Sequence, residues 1–214
     1  GGDDIITGGA GDDIITGGAG DDIITGGSGA DTFKVDAGTD AVKDLATTDI
    51  LIISENATAN ATVAVEFTAT SDTVNHANNA VSKAVLSTDS DGATIDMSAA
   101  SGIFTLTGGA GVDKITGGAG VDTIDGSGGD DIITIAAAGK GDTDVMDGGA
   151  DDDVLQLSTG AHTFADDNKL KNIEEVKTNS SGSEVVLTAQ TEALKITGGA
   201  GVDKITGGAG VDTI

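Results

Sequence analysis

The side chains of this chain that can do chemistry are aspartates, and they are spaced regularly. Asp4, Asp13, Asp22, Asp31, Asp40 and Asp49 recur at one interval, as do Asp113, Asp122 and Asp131, then Asp144 and Asp153, then Asp203 and Asp212. The interval is nine residues, and glycines precede most of these acids at fixed offsets, as in GGAGDDIIT from Gly8 and from Gly17 and GGAGVDKIT from Gly108. In register, glycine stands at positions one, two and four, Asp at six and a large apolar residue at eight. Carboxylates alternating with exposed glycine carbonyls form an all-oxygen donor set, the kind Ca²⁺ takes with six to eight ligands; Mg²⁺ demands a tighter octahedron and retained waters.

The glycines permit a tight turn with positive φ. The x-U-x segment that follows is a strand of about three residues whose apolar U side chain points inward: Ile6, Ile15, Ile24, Phe33, Val42, then Ile115, Ile124 and Ile133. So short a strand cannot survive alone and must stack on the next coil at ~4.8 Å. Two nonapeptides make one 18-residue coil, so Asp4 is expected above Asp22, Asp13 above Asp31, Asp22 above Asp40 and Asp113 above Asp131. Asp31 with Asp49 is a weaker pair, because Thr47 occupies the last glycine position. The insertion Ile135–Ala138 puts Asp122 with Asp144 in question. The candidate ligands are therefore Asp4, Asp13, Asp22, Asp31, Asp40, Asp49, Asp113, Asp122, Asp131, Asp144, Asp153, Asp203 and Asp212. To them are added the carbonyls of Gly9, Gly11, Gly18, Gly20, Gly27, Gly29, Gly109, Gly111, Gly118, Gly120, Gly199, Gly201, Gly208 and Gly210. Asp3, Asp12, Asp21 and Asp130 at position five read as solvated surface, since Val112 and Val121 fill that position elsewhere.

The pattern G-G-x-G-x-D-x-U-x resembles the repeats-in-toxin (RTX) calcium-binding β-roll family. The resemblance covers roughly half of the 214 residues. It implies an all-β, right-handed parallel β-roll, or β-solenoid, holding several Ca²⁺ ions between stacked turns. It also implies a bacterial, exported protein, often type I secreted.

A longer repeat encloses the short one. TGGAGVDKITGGAGVDTI occurs at Thr107–Ile124 and again at Thr197–Ile214, and the first two glycine-rich blocks align at an offset of 100. The segments are block 1 at 1–53, a β-rich insert and lead-in at 54–106, block 2 at 107–157, a second insert and lead-in at 158–196, and the start of block 3 at 197–214. The inserts are expected to be wider, metal-free coils of the same solenoid. Within them Val63, Val65 and Phe67 are expected on one face, and a helical turn near His76–Ser82. The chain starts and stops inside repeats, so continuation of the array or end-to-end self-association is expected.

Composition narrows the function. Thirty Asp and six Glu face ten Lys and no Arg, a formal net charge of −26. No basic face exists for nucleic acid, and an anionic membrane surface repels the chain. No apolar run reaches the ~20 residues of a membrane span. No cysteine is present for disulfides or thiolate metal sites. No nucleophile elbow or phosphate loop accompanies the Ser, Asp and Gly residues, and a thin solenoid with a filled core offers no substrate pocket, so neither an enzyme nor a small-molecule substrate is expected. His76 and His162 stand alone in polar contexts and read as surface residues. The reading is a calcium-binding extracellular structural protein: surface layer, filament or adhesin stalk. A calcium-triggered folding and secretion module and an adhesive binding module are the alternatives. Glycine-rich blocks alternating with Thr/Ala-rich inserts look most like bacterial surface-layer and large cell-surface RTX proteins.

Overall fold

The structure, a computed structural model, describes residues 1–55, 57–76, 84–88, 92–135, 143–179 and 181–214. Apart from a 3₁₀ turn at Asp167–Lys169, its regular elements are short strands, and every strand pairing is parallel. The offset between paired strands is 18 residues in block 1, where Ile6 lies on Ile24 and Ile15 on Phe33. The chain is thus a β-solenoid, and its period follows from two nine-residue half-coils.

The core is a set of stacked apolar ladders. Along the nine-stranded sheet, Ile24, Val42, Ala61, Leu86, Leu106, Ile124, Met146 and Leu170 lie on one another and are buried. Along the seven-stranded sheet, Phe67, Ile95, Ile115, Ile133, Leu155, Val176 and Ile196 do the same. Burying such a side chain contributes about 1.5–3 kcal/mol. Repetition of that gain, coil after coil, holds strands of three or four residues in place. Both inserts continue these ladders, so one apolar cluster runs through blocks and inserts alike.

The order in which the chain visits its sheets reveals what the inserts do. Block 1 alternates between the nine-stranded sheet and the four-stranded sheet of Ile14–Thr16, Thr32–Val35, Ile50–Ile53 and Val74–Asn75. The first insert makes three-sided coils: Ala57–Val63 on the nine-stranded sheet, Glu66–Thr68 opening the seven-stranded one, Val74–Asn75 on the four-stranded one. Block 2 then alternates between the nine- and seven-stranded sheets. The second insert is three-sided again, adding Gly160–Thr163 and Ser183–Val186. The lead-in strand Lys195–Thr197 then stays on the seven-stranded sheet while Lys204–Thr206 of block 3 joins that new, three-stranded one. Each insert therefore keeps one face of the roll and exchanges the other.

This explains two departures from the sequence reading. Val63 and Phe67 are buried, but Val65 is 65% exposed, because a corner between two faces interrupts the alternation there. His162 is fully buried instead of at the surface. It heads the ladder of the new face, stacked on Val185 and then Ile205, and its Nε2 lies 3.0 Å from the Ser158 carbonyl. The helical turn expected near His76–Ser82 lies, beyond His76 itself, outside the described residues; His76 is exposed.

Glycine is required where coils touch. Gly29 has φ +140°, and a Cβ there would collide with the Gly11 carbonyl one coil back. Gly29→Ala is expected to combine backbone strain with an overpacked contact, costing about 2–3 kcal/mol. Thermal unfolding in saturating calcium checks this, and Gly128→Ala, with open space around it, is expected to change little.

Candidate calcium-binding turns

The position-six aspartates stand at the corners where each turn feeds a strand, and from Asp22 onward each reaches back one coil. Oδ1 of Asp22 accepts the amide of Asp4 at 2.8 Å, Asp31 that of Asp13 at 2.9 Å, and Asp40 that of Asp22 at 3.1 Å. Asp49 accepts from Asp31, Asp131 from Asp113, Asp144 from Asp122 and Asp153 from Asp131, at 2.7–3.0 Å. Every stacked pair named from the sequence is therefore brought together. The last two span 22 residues instead of 18, so the insertion leaves the ladder unbroken. The ladder also enters the inserts: Asp113, Asp122, Asp203 and Asp212 accept the amides of Ala93, Phe104, Ser183 and Leu194. Asp4 is exposed and Asp13, Asp203 and Asp212 are half-buried; the other ladder aspartates are buried.

The second carboxylate oxygen divides the turns into two kinds. In one, Oδ2 is buried with no hydrogen-bond partner, as in Asp13, Asp22, Asp40, Asp131 and Asp153. In the other, a glycine amide of its own turn caps it: Gly109 caps Asp113 at 2.6 Å, Gly118 caps Asp122 at 2.8 Å and Gly208 caps Asp212 at 2.7 Å. Backbone conformation follows the same division. Gly9, Gly11, Gly18, Gly20, Ser127, Gly129, Gly149 and Asp151 have positive φ in the first kind, whereas Gly109, Gly111, Gly118, Gly120, Gly208 and Gly210 do not. Asp49 is satisfied on both oxygens, by Asp31 and Ala46.

Position five also sorts with this division. Turns with Oδ2 free carry Asp or Thr there, and the three capped ones carry Val112, Val121 or Val211. Asp3, Asp12, Asp21 and Asp130 are more than solvated surface: each Oδ1 accepts an amide one coil on, from Asp21, Ala30, Thr39 and Asp152 at 2.8–3.0 Å. Valine cannot tie the turn to its neighbour in this way.

The orphaned oxygens fit a hard cation. A Cβ built on Gly8 would lie 2.6 Å from Asp13 Oδ2 and 2.7 Å from the Gly26 carbonyl, so the bare glycine leaves both oxygens facing one space. Gly126 forms the same cradle with Asp131 Oδ2 and the Gly148 carbonyl, whereas at Gly108 the Gly126 carbonyl faces an Asp113 Oδ2 that the Gly109 amide already caps. These position-one carbonyls, from the following coil, are ligand candidates the sequence reading missed. Among the carbonyls it named, Gly18 O and Gly109 O accept from Ala37 and Gly128, and Gly29 O from Thr48 Oγ1. Among the described residues, no three His, Asp or Glu side chains gather at one point. With one ladder carboxylate per turn, main-chain carbonyls have to complete any coordination shell. A buried carboxylate oxygen without a partner is costly, and Ca²⁺ satisfies several such oxygens at once while offsetting their mutual repulsion.

The electrostatics agree. Burial, reinforced by neighbouring carboxylates, pushes Asp131 up to about 7 and Asp153 up to about 6, and raises Asp40 and Asp49. Asp122 is raised by burial alone. Folded values above the unfolded one mean that protonation favours the fold. That contribution is complete below about pH 4 and is lost as pH rises through 6–7. Without calcium, β structure is therefore expected to grow as pH falls from 8 towards 5, while the calcium midpoint at pH 5.5 lies above that at pH 8, because protons compete for the same oxygens. Circular dichroism along both axes checks the sign.

A family profile described as the RTX calcium-binding nonapeptide repeat matches four stretches, residues 1–33, 105–133, 138–161 and 195–214, about half of the chain. Comparisons with curated proteins and with solved structures return no match. Among the described residues no helix is long and apolar enough to cross a membrane. Eleven of the thirteen ladder aspartates lie in the matched stretches, with Asp40 and Asp49 beyond them, and the solenoid is the one such turns build. The chain belongs to the RTX calcium-binding repeat family.

Proposed function

We propose that the chain is a calcium-stiffened structural segment of an exported, extracellular protein, such as a surface layer, filament or adhesin stalk, and has no catalytic role. The observation that carries this reading is the single apolar core passing through blocks and inserts. A tail needed only to fold on export gains nothing from inserts that prolong the same stack and exchange its faces. A stalk or lattice element does, because its length is preserved while its calcium-bearing edges turn about the axis. Each interval between coils then acts as a calcium-gated joint. Typical extracellular calcium sites bind at about 10⁻⁴–10⁻³ M, so the chain stays loose before export and stiffens outside. Antibody labelling of intact cells of the source organism tests this. Surface label in millimolar calcium that is lost on chelation is the expected result, and label reached only after permeabilisation would refute it.

A further inference from the structure

The family profile leaves residues 162–194 unmatched, and nothing there repeats the glycine-rich turn. Yet the carboxylate ladder does not stop at Asp153. The amide of Asp153 donates to Glu174 Oε2 at 2.7 Å, across 21 residues. Val154 pairs with Glu175 and Leu155 with Val176, so Glu174 occupies the rung that Asp153 holds one coil earlier.

The turn leading to Glu174 is shorter and differs in sequence, but it keeps a carbonyl facing the coil before, a left-handed residue and a terminal acid. Asn172 adopts a left-handed φ of +48°, as a glycine does elsewhere, and its Nδ2 is held by Asp147 Oδ1 at 2.7 Å. Its carbonyl faces Gly148 beside Asp153 Oδ2, as the Gly26 carbonyl faces Gly8 beside Asp13 Oδ2. Asp153 is fully buried, and its Oδ2 has no hydrogen-bond partner. The step from Asp153 to Glu174 is 21 residues against 22 for the step before it, the turn from Asn172 to Glu174 is three residues shorter than that from Gly148 to Asp153, and the longer glutamate side chain bridges the difference. A cleft lined by Asp152, Asp153, Val154, Glu174, Glu175 and Lys195 opens beside it. The Lys195 ammonium is engaged by Glu175 at 2.9 Å, and Glu175 also accepts from Thr197 Oγ1, so neither group is committed to Glu174.

We infer that Asp153 Oδ2, the Asn172 carbonyl and Glu174 form a further calcium site, one coil beyond block 2 and inside an insert expected to be metal-free. It locks the first coil of the insert to the last turn of the block, where the roll changes from two-sided to three-sided. The inference rests on the reading of the repeat turns as calcium-binding.

Native mass spectrometry of the full chain in graded calcium, with circular dichroism to confirm folding, tests it. Glu174→Gln is expected to bind one ion fewer than the unsubstituted chain, and Glu175→Gln the same number. If Glu174→Gln does not fold, Glu174→Asp, which keeps the charge but withdraws it, is expected to weaken one ion by about tenfold. Unchanged stoichiometry and affinity in the folded Glu174 variant, with the other ions still bound, would overturn this site and leave the repeat sites standing. An unsubstituted chain that binds no calcium at all would overturn both.

Discussion

Chelation at pH 8 is expected to abolish most of the β-sheet circular dichroism, and millimolar calcium to restore it. The net charge is −26, and the ladder sets carboxylates in register on successive coils, one strand spacing apart at ~4.8 Å. At that separation two like charges repel by several kcal/mol when half-buried. Five of the ladder oxygens are also buried without any donor. Against these costs stand short strands and a core with four phenylalanines and no tryptophan or tyrosine, which supports a marginal fold at best. Cations between the turns convert the repulsion into attraction, so metal binding and folding are one event. A full β spectrum in EDTA at pH 8 would contradict this.

The second large effect belongs to Asp131. It serves two intervals: Oδ1 accepts the amide of Asp113 in the coil before, and its free Oδ2 faces the cradle shared with the Gly148 carbonyl in the coil after. Asp131→Ala strands a buried amide, at about 1–3 kcal/mol, and removes a cation ligand as well. Its calcium midpoint for folding is expected to rise about tenfold or more. Asp131→Asn separates the two roles, since its side-chain carbonyl still accepts the Asp113 amide while the charge is gone. It should retain part of the stability and still lose affinity. Asp12→Ala is the contrast: it breaks one exposed hydrogen bond to Ala30, with an expected cost of about 0.5–1.5 kcal/mol. Equal losses from Asp12→Ala and Asp131→Ala in a calcium titration would show that the ladder is not where calcium acts.

The spacing of Asp and U residues carries the two-sided coil, its 18-residue stacking and the aspartate pairs, because each nonapeptide repeats the same local solution. The third face is absent from that pattern. Gly160–Thr163 turns inward with His162, a residue whose type and polar neighbours suggest the surface; only the stack on Val185 and Ile205 reveals its place. Val65 continues a perfect alternation, yet falls at a corner, where alternation means nothing. Glu174 is hidden for a related reason. A shorter turn with a longer acid reaches the same rung, and a search for glycines and aspartate at fixed offsets passes over it. The signal that would have found it is the strand register, Val154 on Glu175, which becomes visible only once the coils are stacked. Asp or Val at position five likewise distinguishes most turns of the two kinds, but its meaning depends on an amide one coil away.

Calcium between consecutive turns holds the coils together. A crystal structure of the chain grown in calcium, with the ions located by their anomalous scattering, tests it most directly. Ions are expected at the cradles between coils, touching Asp13 Oδ2 and the Gly26 carbonyl, and Asp131 Oδ2 and the Gly148 carbonyl. Anomalous peaks confined to the exposed position-five acids Asp3, Asp12, Asp21 and Asp130, with the cradles empty and the solenoid intact, would contradict it.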